Sequence, residues 1–363
     1  MLFDPKPKER REDLFDRDEE LRRLRLGLSY PVTLLLGIRR SGKSSLIKVL
    51  MNEEKDVIWV YLDLRKYEGH AYLTYRHLLG EFERALNSWQ ESLRRLLQGI
   101  RGVSISGGPG FEVRLGWGGK SKVELGDLFD RLSDIGEREG GRKVVIVFDE
   151  AQELRKLKGF NILYPLAYAY DNLRLNFVFT GSQIGMVYRF LRLRDPGSPL
   201  FGRAMFEVRI NPFTREQAVE FLRAGFREVG LSVSEGILED AYNELGGIPG
   251  WLTYYGLNYM QLNDHGEAIR RTLEYAVQLI RQEFENFLRG GREEARERYY
   301  AIMSLCRFGC RWSDVKRMLM AKEGYEVDDK KVTELLQNLM DASFLIKEND
   351  LYKPSDPLIA RAF

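Results

Sequence analysis

The segment Gly37-Ile38-Arg39-Arg40-Ser41-Gly42-Lys43-Ser44 fits the pattern G-x-x-x-x-G-K-[ST] at every fixed position. Gly37 and Gly42 let the backbone turn tightly, so that successive N–H groups point inward where a following helix start adds positive partial charge. Such a loop cradles the phosphates of a nucleoside triphosphate, with Lys43 reaching the β/γ-phosphates and Ser44 a Mg²⁺ ion. The alternative, a glycine-containing turn without a ligand, rarely comes with a buried-type strand at 32–36 before it and a helical run from Ser45 to Leu50 behind it.

Phosphoryl transfer needs a second anchor for the metal and a group that orients the attacking water. Asp149-Glu150 supplies both candidates at the end of the most apolar run in the chain, 143–148. Asp149 would hold the metal and Glu150 would polarise water. In open α/β sheets these positions fall at the carboxyl edge, where ligands bind. An ordinary polar turn at a strand end is the competing reading.

A sheet must position these groups. Apolar runs at 32–36, 57–63, 143–148, 176–181 and 204–210 alternate with helical patterns, which predicts an α/β P-loop NTPase core over 1–211 with a five-stranded parallel sheet covered on both faces. One long helix is expected over about 71–98, and others at 125–138, near 162–170 and through 193. Residues 101–118 break the rhythm and read as an inserted hairpin around a Gly/Pro turn. From 212 onward helices take over. Thr214-Arg215-Glu216-Gln217 is a capping box, and Leu273, Val277, Ile280, Phe284 and Phe287 recur at helical spacing, so a helical lid is expected over 212–290. Three helical stretches and a short hairpin about 348–350 then describe a winged-helix domain over 291–363.

The 363 residues suit two or three domains. Fifty-six basic and 54 acidic side chains leave a formal charge of +2, so no global field marks a nucleic-acid or membrane partner. From Ala295 on, twelve basic residues face eleven acidic ones, whereas a DNA-binding module is usually clearly basic. The candidate recognition helix, 328–341, also opens on two aspartates, which favour a helix start but repel phosphates in a major groove. A protein partner is the competing reading. The glycine-rich hairpin, with Arg101, Arg114, Lys120 and Lys122 in or beside it, is an equal candidate surface for DNA or protein. Cys306 and Cys310, four apart, read as helix-face packing rather than a disulfide or metal pair. His70, His77 and His265 assemble no metal constellation. The N-terminus lacks the apolar stretch of a signal peptide, and no run of about 18 apolar residues occurs, so a cytoplasmic chain without a membrane partner is expected.

Taken together, Gly-Ile-Arg-Arg-Ser-Gly-Lys-Ser-Ser-Leu from Gly37, Val-Ile-Val-Phe-Asp-Glu-Ala-Gln from Val145 and Phe-Val-Phe-Thr-Gly-Ser from Phe177, with a lid and a winged helix behind them, resemble the archaeal ATPases of the STAND branch, relatives of the AAA-type origin-recognition ATPases. The resemblance covers essentially the whole chain. It is most specific at Arg39-Arg40, at Asp149-Glu150-Ala151-Gln152 and at Gly246-Gly247-Ile248-Pro249. It implies a polar sensor at Thr180 or Ser182, where a hydroxyl capping the next helix is the alternative. It implies an arginine finger at Arg203, where a solvated charge is the alternative; a finger acting from a neighbour would require a homo-oligomer. It also implies that Pro249 packs near the base and that Phe15-Asp16-Arg17 lines the base pocket. No arginine occurs in 246–262, so the lid offers no guanidinium to the γ-phosphate from there. No Asn/Thr-Lys-x-Asp guanine reader is present, which leaves ATP and ADP as the expected ligands with Mg²⁺. The expected function is ATP hydrolysis coupled to lid and winged-helix movement; the alternative is an ATP-dependent switch that turns over slowly, if at all, and assembles a partner. A small-molecule kinase would need an acceptor pocket and a mobile arginine-rich lid.

Overall fold

The strands follow the chain as β1 (Val32–Leu36), β2 (Ile58–Asp63), the antiparallel pair β3 (Val103–Ser106) and β4 (Glu112–Leu115), then β5 (Val144–Asp149), β6 (Leu175–Gly181) and β7 (Phe206–Arg209). Five of them form a parallel sheet in the order β2-β5-β6-β1-β7 in this computed structural model, which describes residues 1–98, 101–106, 112–116 and 122–363. β1 and β5 are buried on both faces, as their unbroken apolar runs require. β2 was expected to be equally buried, but as an edge strand it alternates between buried and half-exposed residues. Leu34, Leu36, Ile146, Phe148, Phe177 and Phe179 point into one apolar layer, and Leu35, Val145, Val147, Val178 and Val208 into the other.

The helix expected over 71–98 is interrupted. It forms as Tyr75–Asn87 and Glu91–Arg95, because Trp89 turns inward between them and donates its indole N–H to the Trp59 carbonyl at 2.9 Å. The inserted hairpin pairs Val103 with Leu115 and Ile105 with Val113. Its expected Gly/Pro turn and Lys120 lie outside the described residues. Asn87 bonds both backbone groups of Val113, at 2.8 and 2.9 Å, and so covers the outer edge of β4 with a helix side chain.

Beyond the sheet come the helices Arg215–Glu228, Glu235–Leu245, Pro249–Leu262 and His265–Leu288, then Glu293–Cys306, Trp312–Glu323 and Asp329–Asp341, and the hairpin β8 (Leu345–Glu348) and β9 (Leu351–Pro354). The first of these helices starts on the expected capping box: the Gln217 N–H donates to Thr214 at 3.3 Å, and the Thr214 N–H to the Gln217 side chain at 2.8 Å. One hydrophobic core runs through both groups of helices. Phe284 touches Phe287, Tyr300, Phe344 and Phe363, so the apolar stripe read from 273–287 is the seam between lid and winged helix. Phe3 joins this core from the N-terminus. It fills a slot that only glycine can leave open, since a Cβ on Gly225 would come within 2.3 Å of its ring and one on Gly256 within 2.6 Å.

Cys306 and Cys310 are joined as a disulfide, contrary to the packing role expected of them. The helix ends at Cys306 and the chain turns at Gly309, which swings Cys310 back beside it. Among the described residues no helix is long and apolar enough to cross a membrane.

Candidate active site

β1 delivers the chain into the loop 37–44, and the helix Lys43–Glu53 starts from its end. Gly42 caps that helix at φ 100°, a conformation that residues with a side chain rarely adopt. Gly37 is required by space instead: a Cβ there would lie 2.8 Å from the Ile210 carbonyl, where the chain leaves β7. Lys43 sits in the curve of the loop, donating to the carbonyls of Gly37 at 2.8 Å and Ile38 at 2.9 Å. Burial lowers the pKa of its ammonium, an effect that Glu150, 4.0 Å away, and Asp149 oppose. The Ser41 hydroxyl is buried here with no hydrogen-bond partner among the described residues, an orphan donor aimed at the loop.

β5 ends in the fully buried Asp149, which accepts from the Ser44 hydroxyl at 3.1 Å and from the hydroxyls of Tyr61 and Thr180. Glu150 then takes φ 58° and ψ 53°, a left-handed conformation that costs a non-glycine residue about 1–2 kcal/mol. The turn carries its carboxylate across the end of β6. There the Ser182 hydroxyl donates at 2.5 Å and the Ser182 N–H at 3.2 Å, with Gln152 as a third donor. Burial pushes the Glu150 carboxyl up, but Lys43, Gln152, Ser182 and Arg39 together hold it below the usual glutamate range. For Asp149, burial and the adjacent Glu150 charge win over its hydroxyl donors and raise it.

Strand order explains which hydroxyl does what. Because β6 lies between β1 and β5, its last residues stand between Lys43 and the acid pair. Thr180 is buried behind the site: it donates to Asp149 and accepts the Glu150 N–H at 3.0 Å. Ser182 lines the cavity itself.

That cavity, of about 480 Å³, opens over the loop from Arg39 to Ser45 and falls within the range of small-molecule sites. Its far end is aromatic, with Phe15, Trp251, Tyr254 and Tyr275 beside Pro249; the two tyrosines stack at 4.3 Å. Phe15 packs edge-on against Phe213 and Phe221, and Arg17 lies buried over the Phe213 ring at 4.5 Å while donating to the Asn211 carbonyl at 2.8 Å. The structure therefore gathers Phe15, Arg17, Pro249, Ser182, Glu150 and the loop from Arg39 onward around one space, with the fully buried Asp149 behind it on the Ser44 hydroxyl. Arg203 is not among them. It precedes β7, at the amino ends of the strands and so at the opposite edge of the sheet, where it pairs with Asp171 and donates to the Pro199 carbonyl.

Several site residues escaped the sequence reading. Tyr61 ends up on Asp149 only because β2 pairs with β5, and the N-terminal segment lines the cavity with Leu2 and the residues from Asp4 to Lys8, the Lys8 N–H donating to the Ser45 hydroxyl at 3.0 Å. Glu283 and Trp251 reach the loop from the lid. Gln152 stands in the motif at 149–152 but has no role of its own in the sequence reading; for the others the sequence carried no signal.

Residues 14–255 match the family of ATPase domains predominantly from Archaea, and residues 293–355 match the MCM protein C-terminal winged helix-turn-helix domain. The chain belongs to this archaeal-type P-loop ATPase family, with an MCM-type winged helix behind the ATPase domain, and is an ATP-binding, ATP-hydrolysing enzyme. The Walker-type ATPase of Pyrococcus abyssi is 36% identical over 100% of this chain and 99% of its own, with a TM-score of 0.84. A variant of RuvB from Thermotoga maritima aligns at 13% identity over 96% of this chain and 95% of its own, with a TM-score of 0.45, a likeness too loose to argue from. No curated protein matches the sequence.

Proposed function

We propose that the chain is a Mg²⁺-dependent ATPase of the STAND branch, in which hydrolysis at the cavity moves the lid and winged helix. The convergence of Lys43, Ser44, Glu150 and Ser182 on one cavity, with Asp149 bonded to Ser44 behind it, carries this reading. The amides of 37–44 and Lys43 bind the phosphates, and the Ser41 hydroxyl finds its partner there. Ser44 and Asp149 are hard oxygen donors already in contact, which suits Mg²⁺, an ion that takes one or two protein ligands and completes its shell with water and phosphate. When bound, Mg²⁺ would neutralise charge on the β- and γ-phosphates. Thr180 and Tyr61 orient Asp149. Glu150, kept ionised, accepts the proton of the attacking water, and Ser182 holds its carboxylate toward that water. Phe15, Arg17 and Pro249 bound the base, and ADP leaves from the same space.

Coupling follows from the next turn of chain. Two residues past Ser182, the Ile184 N–H donates to the Ser343 hydroxyl at 3.2 Å, and Arg189 binds Asp341 and Asn338, the latter at 2.8 Å. A shift at the water-orienting strand is thus transmitted to the end of the candidate recognition helix. On this reading 1–211 works as the ATPase core, while the lid 212–290 and winged helix 291–363 move as one body. Arg203 serves a neighbouring copy in a homo-oligomer. A protein fits the winged helix better than DNA, since Lys316, Lys331, Lys347 and Lys353 are each tied to an acid of the same module.

Steady-state hydrolysis by Glu150→Gln tests the central assignment. Turnover should fall about a hundredfold or more, with ATP affinity within about threefold of the parent. A variant that hydrolyses as fast as the parent would remove Glu150 from the mechanism, and a parent that binds ATP with negligible turnover would favour the switch.

A further inference from the structure

Two arginines at the apex of the phosphate loop face acids from other parts of the chain, and they are held differently. Arg40, at φ 63°, pairs with Glu283 on the helix His265–Leu288, lays its guanidinium over Trp251 at 4.2 Å and accepts the Gly250 N–H on its carbonyl at 3.1 Å. Trp251 in turn donates to the buried Asp356 at 2.8 Å, in the segment after β9. Arg40 is thus anchored to the lid on three sides. Arg39 has looser partners, Glu68 at 3.0 Å and Glu283 at 3.5 Å, and its side chain lines the cavity beside Lys43 and Glu150.

This arrangement reverses the usual division of charge. The lid segment 246–262 contains no arginine, and what the lid presents to the loop is an acid, Glu283. A terminal phosphate arriving near Glu150 and Glu283 would meet two carboxylates beside Lys43, and of the described arginines that line the cavity Arg39 holds its acid least closely, at 3.0 Å, and offers a planar fork for phosphate oxygens. Arg39 is also the second residue after Gly37, at the apex of the loop, while Lys43 lies in its curve.

We propose that Arg39 senses the γ-phosphate in cis: when ATP binds, its guanidinium leaves Glu283 for the terminal phosphate, while Arg40 stays on Glu283 and Trp251. The proposal rests on the nucleotide-site reading above and adds a discrimination to it. ADP, lacking that phosphate, leaves the Arg39–Glu283 contact in place. Glu283 then carries either one cation or two, and through Arg40, Trp251 and Asp356 the lid and the C-terminal segment register which nucleotide is bound.

Titration of a non-hydrolysable ATP analogue and of ADP, each with Mg²⁺, into the full chain and into Arg39→Ala, Arg39→Lys and Lys43→Ala tests this. Arg39→Ala should lose about tenfold in affinity for the triphosphate analogue and stay within about twofold for ADP, the loss expected for a charge-assisted contact to one phosphate. Arg39→Lys, keeping the charge without the fork, should recover part of the preference. An equal loss for both nucleotides, as a purely structural clasp would give, or an unaltered preference for the triphosphate overturns the proposal. Lys43→Ala separates the two levels of argument: binding of both nucleotides as in the parent would show that the site itself is misassigned, whatever Arg39 does.

Discussion

Around the same cavity, the sheet and the lid hold their functional groups on different terms. On the sheet side, Ser44, Tyr61, Asp149, Thr180, Glu150 and Ser182 bond to one another in an unbroken network at the carboxyl ends of β2, β5 and β6, each strand fixing the next. On the lid side, the loop is touched by a few contacts, Arg40 with Glu283, Trp251 and the Gly250 N–H, and Arg39 with Glu283. Behind those contacts lies a single apolar core shared by lid and winged helix. On the proposed reading, the chemistry belongs to a preorganised sheet edge, whereas communication belongs to a body that packs within itself and meets the loop through bonds a phosphate would compete for.

Three variants press on that contrast. The largest effect is expected from Arg203→Ala, which removes the one group the sheet half would have to supply to a neighbour: turnover should drop about a thousandfold with ATP affinity unchanged. Mixing this variant with Glu150→Gln should restore part of the activity, and undiminished turnover by Arg203→Ala alone would make the sheet half self-sufficient. Next comes Phe284→Ala, at the seam of lid and winged helix, with an expected cost of about 3–5 kcal/mol in denaturant unfolding. Lid and winged helix should melt together at a lower midpoint; a loss confined to 291–363 would mean that the shared core is not one cooperative unit. The smallest effect is expected at the joint between the halves. A Cβ at Gly185 would lie 2.5 Å from the Asp341 backbone, so Gly185→Ala should weaken docking of the helix Asp329–Asp341 by about 1–3 kcal/mol. Faster amide exchange across that helix, with the sheet unaffected, is the observation to seek.

Much of the sheet half was legible in advance. The strands of the parallel sheet lie within a residue or two of their apolar runs, and β1, β5 and β6 carry unbroken or nearly unbroken apolar runs because they are buried on both faces. The loop and Asp149-Glu150 were legible because their spacing encodes backbone turns. The helix break at Trp89 was not, since its cause is a bond to Trp59 on another strand. The disulfide was missed because spacing alone does not say that the helix stops at Cys306. The neighbours of Arg39 and Arg40 were illegible for a similar reason: Glu283 lies 243 residues from Arg40, and an acid on a long charged helix looks like any other solvated residue.

By itself the sequence determined the local devices: the phosphate loop with its two glycines, the acid pair, the capping box at Thr214, and helices and strands set by apolar periodicity. These depend on backbone conformation and on contacts within a few residues, which short spacing records. Only the tertiary structure decided that β6 stands between the loop and the acid pair, so that Ser182 meets Glu150 and Thr180 backs Asp149. It alone decided that Arg203 points away from its own site and that Glu283 clasps the loop. Strand order and long-range charge pairing follow from how whole layers pack, and no short stretch of residues carries that information.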